Sequence, residues 1–342
     1  MWPILMRFAF LLVPQFSMMA FAAAIEPLRA ANRLAGQSLF HWELASPDGA
    51  AVAASNGITV AVDLPLAKLR TADVLLVCMG LDPLQCQSNR PLRNRLRWLS
   101  ARGVRIGGIS TAPFLIAEAG LLDRRRCTVH WECAEHFRRR YPGIRLVDEL
   151  FVIDDKVCTC SGGTAAMDMM LDFIQRHTSA EFAASVAEQF IHPRIRDHGD
   201  PQRMALRARY PGVSARLLHI IERMQSAALD GAPQLAAIAA ASSLSLRHME
   251  RLFRSELEVS PRAFYLKSRL DRGRALLTTT TASIFEVAIE TGFRSASHFS
   301  HAYKRMFGVA PREDRWGARG SATTPGGAAA TRAAAPLDGP HG

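Results

Sequence analysis

The sequence has few of the patterns that mark metal, redox or nucleotide sites. None of its six cysteines forms a C-x-x-C pair, and no cysteine and histidine spacing matches a zinc site. No glycine stretch matches G-x-G-x-x-G or G-x-x-x-x-G-K-[ST], so no nucleotide is implied. We therefore expect neither a metal nor a cofactor. Several cysteines lie in apolar runs, where we expect the reduced, buried thiols usual in the cytoplasm: Cys78, Cys86, Cys127, Cys133, Cys158 and Cys160.

Long apolar runs are also absent. The stretch after Arg7 imitates a secretion signal, but Pro14 interrupts it, and it is too short to span a membrane. We interpret it instead as a buried strand, Phe8–Val13, that turns into an apolar helix from about Ser17. The sequence thus predicts a cytoplasmic protein without a membrane partner.

Charge is unevenly distributed along the 342 residues, a length that suits two domains. Residues 1–200 carry 22 Lys and Arg against 20 Asp and Glu, whereas residues 201–342 carry 20 against 11. Most of the formal net charge of +11 therefore belongs to the C-terminal part. Such an excess favours a polyanionic partner, although a solvated basic surface would explain the charge alone equally well.

The C-terminal part contains an internal repeat. RHMERLFRSELEVSP at 247–261 resembles SHFSHAYKRMFGVAP at 297–311, with an offset of 50. The turn upstream, at Ser243 and Gly292, has an offset of 49, so the second copy has one extra turn residue. A repeated helix–turn–helix with basic second helices is suited to two consecutive major-groove segments. Apolar spacing predicts an all-α domain with a first helix carrying Val213, Leu217, Ile220, Ile221 and Met224, followed by helices at Gln234–Ala241, Leu246–Leu257, Pro261–Leu277, Ile284–Thr291 and Ser295–Phe307.

The N-terminal part alternates short apolar runs with helical patterns, which is typical of an α/β domain with a parallel sheet covered by helices on both faces. The predicted strands are Phe8–Val13, Phe40–Ala45, Ile58–Val62, Val74–Met79, Val104–Ile109 and Phe151–Ile153. The predicted helices are Met18–Leu34, Pro91–Ala101, Pro113–Ala119, Ala134–Arg140 and Thr164–Gln175.

A sharp turn within VRIGGISTAPF is the strongest candidate for a site in this domain. The predicted strand ends at Ile109, Ser110 occupies the turn, and Pro113 suits the first turn of a helix. Such an elbow presents the Ser110 side chain near backbone N–H groups, a place suited to an anion or to a nucleophile.

Three blocks of the N-terminal part, in order, resemble a known family: FLLVPQFSMMAFAAAIEPLRAANRL, GISTAPFLIAEAGLLDRRRCTVHWE and ELFVIDDKVCTCSGGTAAMDMMLDFI. They are similar to the N-terminal domain of GlxA-type AraC-family regulators, which itself resembles class I glutamine amidotransferases and PfpI-like proteins of flavodoxin-like fold. In the enzymatic relatives a cysteine nucleophile occupies the elbow. Here that position is Ser110, and His130 matches the nearby histidine of the family.

The elbow has three interpretations. Ser110 could be a nucleophile with His130 as its base and Glu132 orienting that base, which would make the chain a hydrolase or amidase-like enzyme. The elbow could be vestigial, or it could be a pocket that senses a small molecule. We favour sensing, because the thiol is missing and the acidic residue that some enzymatic relatives carry early in the first helix is replaced by apolar Met19 and Ala20. We therefore assign no catalytic residue.

The resemblance is closest to regulators of arginine, glycine betaine and carnitine catabolism, which implies a small zwitterionic effector. An elbow rich in N–H groups suits the carboxylate, while Trp131 and an acidic residue suit a cationic nitrogen. Core packing is an equally good explanation of Trp131. The candidate effector residues are Phe16, Glu26, Ser110, Thr111, His130, Trp131 and Glu132.

Residues 217–316 resemble the AraC/XylS DNA-binding domain through ERLFRSELEVSPRAFYLKSRLDRGRALL and IFEVAIETGFRSASHFSHAYKRMFGVAPRE. The resemblance implies that each second helix enters the major groove. Candidates for base contacts are Arg247, His248, Arg251, Ser297, His298 and His301, whereas Arg254, Lys304 and Arg305 suit phosphates. Ser245 and Ser295, at the helix starts, complete the set. One departure concerns the first turn, where Ser243 replaces the usual glycine.

Together these features predict a sensor domain at 7–191, a linker at 192–212, a DNA-binding domain at 213–316 and a disordered tail at 317–342. The predicted function is a ligand-responsive activator of a catabolic operon for a small amine or amino acid. Its predicted partners are double-stranded DNA, the effector, a second copy in a homodimer and, for an activator, RNA polymerase. A constitutive DNA-binding protein with a purely structural N-terminal domain is the remaining alternative.

Overall fold

The computed structural model describes residues 5–80, 82, 89–229 and 234–320, and of 316–320 the backbone alone. Cys86 and residues 321–342, most of the tail predicted to be disordered, lie outside this range. Within it, a seven-stranded sheet flanked by helices is followed by a helical unit, as the sequence predicts. The last helix extends to Gly320, so it includes the first four residues of the predicted tail.

The main sheet has the order β10-β11-β7-β6-β1-β2-β5, in which all neighbouring strands are parallel except β10 and β11. Two short pairs, β3–β4 and β8–β9, lie outside it. The strands are β1 Met6–Leu12, β2 Phe40–Ser46, β3 Val52–Ala53, β4 Thr59–Val60, β5 Leu64–Pro65, β6 Val74–Cys78, β7 Arg105–Ile109, β8 Arg126–Cys127, β9 Arg145–Leu146, β10 Phe151–Ile153 and β11 Val157–Cys160.

The described helices are α1 Met18–Ala35, α2 Arg90–Ser100, α3 Ala112–Glu118, α4 Ala134–Arg140, α5 Ala165–His177, α6 Ala180–Glu188, α7 Leu206–Arg209, α8 Ala215–Leu229, α9 Leu235–Ala241, α10 Leu246–Leu257, α11 Pro261–Thr279, α12 Ile284–Glu290, α13 Ala296–Phe307 and α14 Pro311–Gly320. Short 3-10 turns occupy Leu66–Lys68 and Trp131–Cys133.

Two parts of the sheet differ from the sequence-based expectation. Ile58–Val62 does not form one strand, because Gly57 at φ 85° turns the chain into the β3–β4 hairpin before β5 joins the sheet edge. The strand β11 was not predicted. It pairs antiparallel with β10 because Asp154 Oδ1 accepts the N–H groups of Lys156 and Val157 and closes a tight turn.

The strand β1 lies in the middle of the sheet and contributes to the core on both faces. Phe8 and Phe10 pack with residues of α1 and α5 on one face. Ala9 and Leu11 pack with residues of α2, α3 and α4 on the other face. Because successive side chains of a strand point to opposite faces, a continuously apolar strand requires two helical layers. Because β1 and β7 run in the same direction, the helices that follow them begin at the same edge of the sheet. Ser110 lies at that edge.

The helical unit has two cores that share one helix. Leu217, Ile221 and Phe253 belong to the first core, formed by α8, α9, α10 and the beginning of α11. Phe299 and Tyr303 belong to the second core, formed by the rest of α11 with α12 and α13. The helices α9 and α12 are offset by 49 residues and α10 and α13 by 50. The extra residue of the second copy therefore lies in its turn, as predicted.

The two copies differ in the residues that adopt left-handed backbone conformations. In the second copy glycine occupies both such positions, Gly292 at φ 74° and Gly308 at φ 78°. In the first copy the equivalent residues are Ser243 at φ 55° and Glu258 at φ 57°. A side chain in this region costs about 1–2 kcal/mol because Cβ crowds the following carbonyl. The first helix–turn–helix therefore carries backbone strain that the second avoids.

We expect Ser243→Gly to stabilise the first helix–turn–helix by about 0.5 kcal/mol, because relief of strain exceeds the entropy that glycine adds to the unfolded chain. The matched exchange Gly292→Ser should destabilise the second by about 1 kcal/mol. Native-state hydrogen exchange at α9–α10 and at α12–α13 measures the two effects separately. Faster exchange at α10 in Ser243→Gly would contradict the assignment of strain.

Candidate functional site

The predicted elbow is present between β7 and α3. Ser110 has φ 65° and is 4% exposed, and Pro113 occupies the first turn of α3. Thr111 is fully buried, and its hydroxyl donates to the carbonyl of Gly80 at 2.5 Å. A Cβ on Gly162 would lie 3.1 Å from the Ser110 Cβ, so the loop after β11 lies directly against the elbow. The turn is thus fixed from both sides by loops that leave neighbouring strands.

His130 lies beside the elbow, but it is not arranged as a base for Ser110. Its backbone N–H donates to the Ser110 carbonyl at 3.2 Å, and its Nδ1 accepts the Glu132 N–H at 3.4 Å. Burial lowers the pKa of His130, so the neutral ring carries its proton on Nε2. Among the residues that the structure describes, no hydrogen bond joins the Ser110 hydroxyl to this ring. The Nε2–H group is available as a donor.

Trp131 and Glu132 are next to His130 and face charged groups. The Trp131 side chain is 40% exposed, and the guanidinium carbon of Arg203 lies 4.6 Å from its ring centroid. The core-packing explanation of Trp131 is therefore wrong. Burial raises the pKa of Glu132, and the charges of Arg203 and Arg274 oppose that rise. This corner of the domain already binds a cation of its own chain.

Two of the seven candidate effector residues do not offer a side chain to a ligand at the elbow. Phe16 is fully buried, with its ring edge-on to Phe21 at 5.6 Å, so it presents no surface to a ligand. Glu26 lies in the third turn of α1 and pairs with Arg29 at 2.6 Å. The structure brings together the other five around the elbow.

The polar segment between the domains contacts the sensor domain along much of its length. Its Gln202 amide donates to the Thr128 hydroxyl and to the carbonyls of Val129 and Glu149, at 2.9–3.1 Å. Thr128 and Val129 immediately precede His130, and the Glu149 carbonyl also accepts the Thr128 hydroxyl. Sequence reasoning missed Gln202 and Arg203, because polar residues near two prolines are typical of a solvated linker. Their partners are more than fifty residues away in sequence, so no local pattern indicates them.

The second helix of each repeat presents a basic, exposed face. Ser245 and Ser295 are the N-caps, and their hydroxyls accept the N–H groups of His248 and His298. The remaining candidates on the two helices are exposed, apart from the half-buried His248. At the offset of 50, Arg251 corresponds to His301. The other corresponding pairs are Arg247 with Ser297, His248 with His298, Arg254 with Lys304 and Ser255 with Arg305.

The described residues contain neither a membrane-spanning helix nor a metal site. No helix there is long and apolar enough to cross a membrane, and no group of three His, Cys, Asp or Glu residues could hold a metal ion. The five described cysteines are buried and free, and burial raises the pKa of the Cys158 and Cys160 thiols to about 12. A flavodoxin-like domain joined to two helix–turn–helix motifs with basic exposed helices defines a DNA-binding regulator.

Comparisons with known proteins identify the family. The DJ-1/PfpI family profile matches residues 6–176, and a helix-turn-helix domain profile matches residues 238–316. The transcriptional regulator CdhR of Pseudomonas aeruginosa is 41% identical over 310 residues, which cover 90% of this chain and 91% of CdhR. The regulator GlxA of Rhizobium meliloti is 37% identical over 305 residues, covering 89% and 94% of the two chains.

Among solved structures, a THiJ/PfpI family protein from Pseudomonas syringae superposes with a TM-score of 0.50 at 19% identity, covering 60% of this chain and 80% of that protein. This similarity shows the fold of the N-terminal domain. The chain belongs to the GlxA-type, AraC-family transcriptional regulators that carry an N-terminal DJ-1/PfpI domain. It is therefore a DNA-binding regulator rather than a hydrolase, and the predictions of family and fold class are confirmed.

Proposed function

We propose that the protein activates a catabolic operon in response to a small zwitterionic amine or amino acid of the betaine, carnitine or arginine type. The observation that carries the proposal is the pairing of a donor and an aromatic cation site beside the elbow. The neutral His130 offers Nε2–H to a carboxylate. The Trp131 ring, with Glu132 next to it, offers a cation–π site, which the Arg203 guanidinium occupies in this structure.

The opposite ends of a zwitterion would use these groups together. A quaternary or tertiary ammonium competes with the Arg203 guanidinium for the Trp131 ring, since both need the same quadrupole. Ser110 and Thr111 would then form a rigid wall of the pocket, and the charged groups of the ligand would be bound by the other residues. Phe16 and Glu26 have no part in this arrangement.

The proposed DNA contacts are the exposed residues of α10 and α13. Arg247, His248, Arg251, Ser297, His298 and His301 would contact bases, and Arg254, Lys304 and Arg305 would contact phosphates, with Ser245 and Ser295 capping the two helices. The regulator would act in the cytoplasm as a homodimer, and as an activator it would contact RNA polymerase. The buried free cysteines suit a reducing compartment.

A melting-temperature screen with glycine betaine, carnitine, dimethylglycine and arginine tests the effector class. At a concentration of about 100 times Kd, the correct ligand should stabilise the protein by about 2.7 kcal/mol, or several degrees. Trp131→Ala should remove the shift, because it removes the cation site. Trp98→Phe is the matched control, since Trp98 also stacks with arginines but lies on α2. If none of the four compounds raises the melting temperature, the proposed effector class is wrong.

A further inference from the structure

The segment that follows His130 lies between the candidate effector site and the DNA-binding domain. It consists of the 3-10 turn Trp131–Cys133 and the helix α4. The helix α3, which begins at the elbow, packs against the same segment. The Phe114 ring lies 5.1 Å from the His136 ring and 5.0 Å, edge-on, from the Phe137 ring. The helix α3, which leaves the elbow, therefore contacts the segment that leaves His130, and the contact is made at α4.

On the side of the DNA-binding domain, Arg272 of α11 is the central residue. Its side chain is 6% exposed, which is unusual for an arginine. Its Nη1 donates to the Ala228 carbonyl near the end of α8 and, at 2.9 Å, to the Glu290 carbonyl at the end of α12. The Ala228 carbonyl belongs to α8, which packs with the first helix–turn–helix in one core, and the Glu290 carbonyl belongs to α12, the first helix of the second helix–turn–helix. One guanidinium thus connects the core of the first motif with the second motif.

The sensor domain supplies the counter-charge of this arginine. Arg272 Nη2 donates to Glu135 Oε1 at 2.5 Å, and Arg272 Nε donates to Glu135 Oε2 at 3.3 Å. Arg139 lies 2.5 Å from Glu135 and 2.7 Å from Glu290 Oε2. Arg139 thus pairs with one carboxylate of each domain. A buried charge is costly unless it is paired, and here the pairing depends on contact between the domains.

The contact leaves the predicted DNA-binding faces open. Arg251 on α10 and His301 on α13 are exposed, although both helices belong to the unit that α4 contacts. Contact with the sensor domain therefore does not cover these faces. It holds the helix α11 and the ends of the helices α8 and α12. What it can affect is the placement of the two motifs relative to each other.

We propose that α4 couples the effector site to the placement of the two helix–turn–helix motifs, and that the Glu135–Arg272 pair is the link. The proposal rests on the proposed effector site beside His130. A bidentate carboxylate–guanidinium pair tolerates little displacement, so a shift of the segment after His130 changes the position of Arg272. Both motifs respond, because Arg272 holds a carbonyl of α8, which packs against the first motif, and a carbonyl of α12 in the second motif.

Hydrogen exchange on the full chain tests the link without a ligand. In Glu135→Gln the charge is lost while the side-chain shape is kept, and exchange at α11 and α12 should accelerate about tenfold. The matched control is Arg138→Ala on the same helix, which removes an exposed charge outside this network and should change little. Unchanged exchange in Glu135→Gln would overturn the proposed link.

The second arm uses reciprocity, because two coupled sites must influence each other equally. A duplex selected for binding from a random-sequence pool should alter exchange at residues 110–133 of the parent protein and leave those residues unaffected in Glu135→Gln. The same response in both proteins, or none in the parent, would refute coupling. If both arms succeed while the four-compound screen fails, the effector class is wrong and the coupling stands.

Discussion

Asp168→Asn should destabilise the sensor domain by about 3 kcal/mol, a large effect for one polar atom. The Asp168 carboxylate is completely buried in α5. It accepts hydrogen bonds from the backbone N–H, Nε and Nη2 of Arg196 at 2.6–3.0 Å, and His192 Nε2 lies 2.9 Å away. An asparagine would turn an NH2 group toward donors and leave the guanidinium without its counter-charge.

Thermal unfolding of the full chain by circular dichroism should show a fall of about 6–12 °C for the sensor domain. The matched control is Asp172→Asn, one turn further along α5. Asp172 pairs with Arg176 at the surface, so its loss should cost less than about 0.5 kcal/mol. Equal melting temperatures for the two variants would show that the beginning of the linker is not fastened by Asp168.

Arg251→Ala should lower the affinity for the operator about 10- to 100-fold, whereas His301→Ala should have a smaller effect. Arginine can bind a guanine edge with two parallel hydrogen bonds, worth about 1–3 kcal/mol of discrimination, and a histidine ring has no such fork. The first recognition helix also carries three arginines, Arg247, Arg251 and Arg254, whose counterparts in the second are Ser297, His301 and Lys304. We therefore expect the first copy to contribute most of the sequence-specific binding.

Fluorescence anisotropy with an operator duplex and a shuffled duplex at several salt concentrations separates the roles. Arg251→Ala should reduce the difference between the duplexes. Arg254→Ala should weaken binding to both equally and reduce the salt dependence by about one charge. If His301→Ala costs as much specificity as Arg251→Ala, the two copies contact DNA equivalently and the proposed asymmetry fails.

The features that could be predicted from the sequence are those that depend on patterns of neighbouring residues. The strand β6 and the segments Phe8–Leu12 of β1 and Ile106–Ile109 of β7 are apolar without interruption, which is characteristic of central parallel strands. The recognition helices follow from their apolar stripes and serine caps. The sharp turn at Ser110 follows from the short path between a strand and a proline-initiated helix.

The features that could not be predicted depend on partners distant in sequence. Arg272 and Glu135 are 137 residues apart, and Asp168 and Arg196 are 28 apart. Nothing in the sequence distinguishes these charged residues from others. Their role depends on partners that only the folded chain brings close and buries. The positions of Phe16 and Glu26 were missed for a related reason. The turn at Pro14 indicates where a helix begins, but not toward which layer its neighbouring side chains point.

Because α11 contributes to both cores, its length sets the distance between the two helix–turn–helix motifs. Its 19 residues extend over about 28 Å, close to the ~34 Å of one turn of DNA. Each residue also advances the helix by about 100°. The number of residues in α11 therefore determines both the separation and the rotational phase of the two recognition helices. A single inserted residue would shift the second recognition helix by about 1.5 Å along α11 and rotate it by about 100° about the α11 axis. The length of this helix therefore constrains the spacing and orientation of the two half-sites that the protein can contact, although none of its residues need contact a base.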